Sequence, residues 1–288
     1  MQVSIRGPVH FKDYGGKGPL ILLIHGIASS SASWVALGPL LTDFGRVLAI
    51  DLPGFGRSPL KGRSADVESQ ADLVATFIER VSKKPAVIVG SSLGGLISFI
   101  TAARYPETVE RLLPITPAVP GIRWTHLGAK NLFGFMIPTI PGLGSAIMRW
   151  GSSNVSAETH VEYALAHVTH NPERIAPEVR AAIVKATTRW LRSPDYSAAY
   201  ISSMKSLYPF VLQSRAFDEE VRLIEAPTHI IGGRKDPVVS HRNLERVIGV
   251  RPDWELTLLD DVGHAPHIEE PDWVAEIMLE WLRAPANA

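Results

Sequence analysis

Four apolar residues, Ala86-Val-Ile-Val89, run directly into Gly90-Ser91-Ser92-Leu93-Gly94-Gly95, and a helical pattern follows over 93–105, stopping before Pro106. This strand, turn and helix constrain the chain more than any other feature. A G-x-S-x-G turn between a buried strand and a helix is sharp and strained, with the serine at its tip. The backbones two residues before and two after that serine nearly touch, so both positions need glycine or another small residue. Framed on Ser92, both are glycine, Gly90 and Gly94. Framed on Ser91, the first is Val89, which would crowd the turn. Ser92 is therefore the candidate nucleophile, with Gly90 and Gly94 as its elbow.

The same run-then-glycine pattern recurs. Leu20–Ile24 ends at His25-Gly26, residues 47–50 end at Asp51, 228–231 at Gly232-Gly233, and 254–259 at Asp260. These runs lack polar alternation, as strands buried on both faces do. Between them, Val67–Val81 places Ala71, Val74, Phe77, Ile78 and Val81 on one helical face. Residues 271–282 open with a proline suited to a first helical turn and present Val274, Ile277, Met278 and Trp281 inward. Strands alternating with helices imply an α/β fold: a mostly parallel central sheet, flanked by helices, with right-handed crossovers. The rhythm breaks after Ile115 and resumes at Pro227. The reading is a core of 1–116 and 218–288 with an inserted helical cap at 117–217. Such an insertion would lie over the carboxyl ends of the strands, where open α/β sheets place ligands.

Composition closes off other classes. The 288 residues are 45% apolar, enough for one large α/β domain with an insertion. The formal net charge is zero, which gives no basis for binding nucleic acid. There is no cysteine, so disulfides, a cysteine nucleophile and thiolate-bound metals are excluded. The first 18 residues show no apolar signal segment, and a cytoplasmic location is expected. The apolar stretch 127–148 is interrupted by Lys130, Pro138 and Pro141, whereas a membrane span needs roughly 20 unbroken apolar residues. No integral span is expected.

A serine hydroxyl is a weak nucleophile at neutral pH and needs a base, which in turn needs an orienting acid. Asp236, in Gly232-Gly-Arg-Lys-Asp-Pro-Val238, and His264, in Asp261-Val-Gly-His-Ala-Pro-His267, each follow a strand, as Ser92 does. Their chain order, serine then acid then histidine, suits this architecture. His267 follows Pro266 and reads as a surface residue at the start of the last helix; His229 and His241 read as structural. Asp218, Asp260 and Asp261 are the rival acids, and Asp260 is too near His264 in sequence to reach its far ring nitrogen easily. Oxyanion donors are expected from the backbone N–H groups of Leu93, directly after the serine, and Ile27, after the first buried strand. His25 should be buried and bonded to backbone. No metal cluster or dinucleotide fingerprint appears, so no metal or other cofactor is expected.

The chain resembles the α/β-hydrolase superfamily, in its cap-bearing branch. The resemblance rests on His25-Gly26, Asp51-Leu-Pro-Gly-Phe-Gly-Arg-Ser58, Gly90-Ser-Ser-Leu-Gly-Gly95, Arg234-Lys-Asp-Pro237 and Gly263-His-Ala-Pro266. It implies an esterase or lipase-like serine hydrolase acting through an acyl-enzyme on a small apolar ester. Trp34, Phe133, Met136 and Trp190 are candidates for the pocket that receives the substrate. Haloalkane dehalogenases and epoxide hydrolases of the superfamily carry an aspartate where Ser92 stands. Its carbon–carbon bond hydrolases for aromatic ring-fission products commonly carry tryptophan where Ala265 stands, although Arg189 could serve their substrate carboxylate. Ligand receptors on this fold are a further alternative.

Overall fold

A computed structural model describes residues 1–121, 140 and 143–284. Among these residues eight strands form one sheet in the order β1-β2-β4-β3-β5-β6-β7-β8. The strands are β1 (Gln2–Ser4), β2 (Pro8–Gly15), β3 (Leu20–Ile24), β4 (Arg46–Ile50), β5 (Ala86–Ser91), β6 (Val109–Ile115), β7 (His229–Gly233) and β8 (Glu255–Leu259). From β4 to β8 every pairing is parallel; β1 and β2 form an antiparallel edge, with β2 pairing to β4. The five runs thus become β3, β4, β5, β7 and β8, with ends shifted by a residue or two at most, but β8 is not buried on both faces as expected: it is the sheet's other edge, with Glu255 exposed and Leu256, Thr257 and Leu258 half-buried. All residues of β3 and β5 are buried, the physical reason for their unbroken apolar character.

The edge hairpin and β6 were not read as strands from the sequence. In β2 only Val9 and Phe11 are buried, while Lys12 faces solvent, so the strand lacks a continuous run. In β6, Glu110 and Arg111 interrupt the run before Leu112.

Helices cover the sheet as α1 (Leu37–Leu40), α2 (Val67–Val81) and α3 (Leu93–Arg104), then α4 (Leu143–Asn154), α5 (Ala157–Val168), α6 (Pro177–Trp190), α7 (Pro194–Leu212) and α8 (Ser214–Arg222). After β7 come α9 (His241–Val250), α10 (Pro266–Glu269) and α11 (Pro271–Arg283). α2 begins where the Asp66 carboxylate accepts the Ser69 N–H at 2.7 Å, a side-chain cap. Of its stripe, Ala71, Val74, Phe77 and Ile78 are buried as the spacing requires, and Val81, at the helix end, is partly buried. On α11, Val274, Met278 and Trp281 are buried and Ile277 partly so.

Between β6 and β7 the described residues form helices and no strand. They share one core with the sheet: Trp190, Tyr196, Tyr200 and Met204 belong to the cluster that holds Leu22, Leu48 and Phe55. Polar ties reinforce the junction. The Leu60 N–H donates to Asp195 at 2.9 Å, the Val67 N–H to Ser206 at 2.9 Å, and the Ser203 hydroxyl to Ala65 O at 2.7 Å. Among the described residues no helix is long and apolar enough to cross a membrane. Most of the stretch 127–148, with Phe133 and Met136, lies outside the described residues.

Candidate active site

Ser92 follows the last residue of β5 and precedes α3, with φ 52° and ψ −113°. That conformation is costly for a residue with a Cβ, of order 1–3 kcal/mol, and persists only when its surroundings over-determine it. They do so here. The Ser92 N–H donates to Ile115 O at 3.0 Å, and its carbonyl accepts from Gly95, Leu96 and Ala118. A Cβ on Gly90 would collide with Gly94 O, and one on Gly94 with Ile24 O, so both glycines are required by close backbone approach. A Cβ on Gly26 would stand 3.3 Å from Ser92 Cβ, which places the loop after β3 against the serine. Among the described residues, the N–H groups of Ile27 and Leu93 have no hydrogen-bond partner.

Asp236 sits in the turn after β7, its side chain 1% exposed. Its Oδ1 accepts the N–H groups of Val238 (2.7 Å) and Val239 (2.8 Å). Oδ2 is left to meet His264 Nδ1 at 2.7 Å. An ionised carboxylate can only accept, so Nδ1 carries a proton, and in the neutral ring Nε2 is the acceptor. The His264 carbonyl accepts from the Thr116 hydroxyl at 2.7 Å. Thr116 follows Ile115, which accepts from Ser92, so serine and histidine are anchored to one stretch of chain beyond β6. Among the described residues no hydrogen bond joins Ser92 Oγ to the His264 ring. In ligand-free active sites this bond is often long and tightens only with substrate.

The rival acids are engaged elsewhere. Asp260 pairs with Arg234 at 2.7 Å, Asp261 with Arg174 at 2.6 Å, and Asp218 with Arg246 at 2.9 Å. His25 is buried as expected: its Nε2 accepts the Leu52 N–H at 3.1 Å and its Nδ1 donates to Gly26 O at 2.7 Å. Burial holds its pKa below the ordinary histidine value. His229 is likewise structural, bonded to Thr257 at 2.8 Å. Among the described residues no group of three His, Asp or Glu could hold a metal ion.

Two expectations change. His267 is a buried residue, not a surface one: its ring lies 4.4 Å from that of Trp34, and burial, aided by the neighbouring His264, pushes its pKa down to about 3. The short helix α10 turns it inward, which Pro266 and the acidic residues after it do not reveal. Trp34 in turn has no exposed surface; it packs in the core beneath the sheet and backs the His264 loop rather than presenting a face to a ligand. Trp190 is 3% exposed and packs on Tyr196, ring centroids 4.6 Å apart.

The sequence reading missed the clamp on the histidine loop. Glu269, 2% exposed, accepts the N–H groups of His170 (3.0 Å), Asn171 (3.0 Å) and Gly263 (3.2 Å). The His264 N–H donates to Val168 O at 2.6 Å. A Cβ on Gly263 would stand 2.6 Å from His170 N, so the segment after α5 is seated directly on the loop. A buried glutamate looks like a helix-start acid in the sequence; only its partners distinguish it.

These features define a class: an α/β scaffold whose strand ends carry a strained serine and a buried carboxylate–imidazole pair. The family described as alpha/beta hydrolase fold matches residues 19–271, and the chain belongs to it. Among curated relatives, the pimeloyl-[acyl-carrier protein] methyl ester esterase of Aeromonas hydrophila is 25% identical over 91% of this chain and 95% of its own. A 2-hydroxy-6-oxononadienedioate/2-hydroxy-6-oxononatrienedioate hydrolase of a Pseudomonas species is 25% identical over 97% and 93%. A thermophilic esterase from Thermogutta terrifontis shares the fold with TM-score 0.73 at 22% identity, covering 98% of both chains.

Proposed function

We propose that this chain hydrolyses carboxylic esters of hydrophobic substrates through an acyl-enzyme on Ser92. His264 Nε2 takes the Ser92 proton as Oγ attacks the carbonyl carbon, and Asp236 holds the ring in the required tautomer and stabilises the imidazolium. The N–H groups of Leu93 and Ile27 receive the developing oxyanion. His264 returns the proton to the departing alcohol, and water, activated by the same base, releases the acid. The insertion 117–217, whose described residues between β6 and β7 form helices, is read as the cap over this site.

The observation that carries the reading is the 2.7 Å Asp236–His264 bond between two buried side chains beyond β7 and β8, on a sheet whose β5 ends at a serine held at positive φ. The esterase among the relatives supports the choice of ester. The relative whose name is that of a 2-hydroxy-6-oxo-dienedioate hydrolase supports a second reading, cleavage of a carbon–carbon bond in ring-fission products. Against it stand Ala265 after the histidine and Arg189, which lines a cleft that the three candidate catalytic residues do not.

Burst kinetics with chromogenic esters of increasing acyl length, beside a ring-fission product, test the proposal. A burst that vanishes in Ser92→Ala is expected. No acyl release by the native chain, or release unchanged in Ser92→Ala, would refute ester hydrolysis at this site. Preference for the ring-fission product would favour the second reading.

A further inference from the structure

A cleft lies between β2 and α6, and Ser92 is not among the residues that line it. Side chains alternate along a strand, so His10, Lys12 and Tyr14 share one face of β2. On α6, Ala182, Lys185, Ala186 and Arg189 recur at spacings of three and four and share one face. Both sets line a single cavity of about 410 Å³, into which Arg57 also projects from the loop after β4. None of Ser92, Asp236 and His264 lines it. The two alanines keep α6 from filling the space.

The charge in this cleft is one-sided. Lys12, Arg57, Lys185 and Arg189 are all exposed, and they come from β2, from α6 and from the loop after β4. Among the described residues none of the four makes an ion pair, while Arg46, Arg174 and Arg180 nearby in sequence all do. Lys12 rests over the Tyr14 ring at 5.7 Å. Among the described residues the single carboxylate in the lining, Asp51, is buried and hydrogen-bonded: Oδ1 accepts the Ser31 N–H at 2.7 Å and Oδ2 the Arg57 N–H at 3.0 Å. Trp190 closes one side, and its indole Nε1 is a buried donor without a partner. Like charges facing each other across a concave wall repel, and a bound anion converts that repulsion into attraction.

We propose that this cleft binds a small polyanion, a metabolite bearing two or more phosphate or carboxylate groups. Concavity selects a small molecule over a protein surface, since the volume falls in the range of small-molecule sites, roughly 300–1,000 Å³. Cations on opposed walls select more than one negative group, because a single charge would satisfy one wall only. Arginine at two of the four positions suits the forked geometry of phosphate and carboxylate. An occupant would tie α6 to β2 and to the loop after β3. The inference does not depend on ester hydrolysis.

Calorimetric titration of the full chain with inorganic pyrophosphate and with citrate, against acetate at matched ionic strength, tests it. Saturable binding of at least one polyanion is expected. It should weaken about tenfold or more, or 1.4 kcal/mol, in Arg57→Ala and in the double variant Lys185→Ala/Arg189→Ala, and persist in Ser92→Ala. All of these positions except Ser92 are exposed, so the variants should fold. Tighter pyrophosphate assigns the site to phosphate esters and tighter citrate to polycarboxylates; either supports the proposal. Absence of saturable binding up to about 10 mM, where affinity would be too weak to matter, overturns it. So does binding that acetate matches or that the cleft variants leave unchanged, since that is diffuse counterion attraction.

Discussion

Replacing Glu269 should weaken the fold and the His264 loop together, to a degree its bonds allow to be worked out. The carboxylate is buried and accepts three backbone N–H groups, from His170, Asn171 and Gly263. Hydrogen bonds to a charged acceptor contribute about 1.5–3 kcal/mol each, and an orphaned buried donor costs about 1–3 kcal/mol. Glu269→Ala orphans all three, and partial entry of water brings the expected loss to about 3–5 kcal/mol. Glu269→Gln behaves differently. Its one carbonyl oxygen can take the place of Oε2 and serve both His170 and Gly263, but its amide then points at the Asn171 N–H. A loss of about 1–2 kcal/mol follows. Glu270→Gln is the control: Glu270 pairs with the exposed Arg174 at 2.9 Å, and its removal should barely move the unfolding midpoint. Urea unfolding should rank the variants native, Glu270→Gln, Glu269→Gln, Glu269→Ala. Ester turnover by the folded Glu269 variants should fall in kcat more than it rises in KM, because Gly263 and His264 lose their seat. The reasoning fails if Glu269→Ala unfolds at the same urea concentration as Glu270→Gln.

Other expectations follow from single contacts. Asp236→Asn should lower kcat by about 10⁴, because the amide donates toward Nδ1 and selects the wrong tautomer; a loss under tenfold in steady-state turnover would count against His264 as the base. His267 takes a proton near 6.5 when unfolded and only near 3 when folded, so its contribution is fully present above 6.5 and is lost as pH falls from there toward 3. Thermal and urea unfolding of His267→Phe should therefore show a slope of stability on pH shallower by up to about 1.4 kcal/mol per unit in that window, and an unchanged slope would refute it. Gly94→Ala should yield little folded protein by near-ultraviolet circular dichroism, since its Cβ would meet the Ile24 carbonyl. Gly151→Ala, where among the described residues nothing stands within 4 Å of an added Cβ, should fold normally.

The buried strands and the elbow were legible because each is a local demand. A strand covered on both faces must be apolar throughout, and the turn at Ser92 admits only glycine where Gly90 and Gly94 stand. The chain order of Ser92, Asp236 and His264, and their positions after β5, β7 and β8, could be read from the same signals. The edge strand β2 was missed because it is half exposed: its signal is alternation of Val9 and Phe11 with His10 and Lys12, which a search for continuous runs passes over.

What the sequence determined by itself, then, was where the backbone must turn and which strand ends could carry chemistry, because those constraints act between residues a few positions apart. What only the tertiary structure decided was which polar groups meet. His267 turns inward onto Trp34, Glu269 clamps Gly263 and His170, and Lys12 and Arg189 line one cleft, all through segments distant in the chain. A lysine, a glutamate or a histidine carries the same local signal whether it is solvated or buried; desolvation and the partner decide its role, and both are properties of the packed chain.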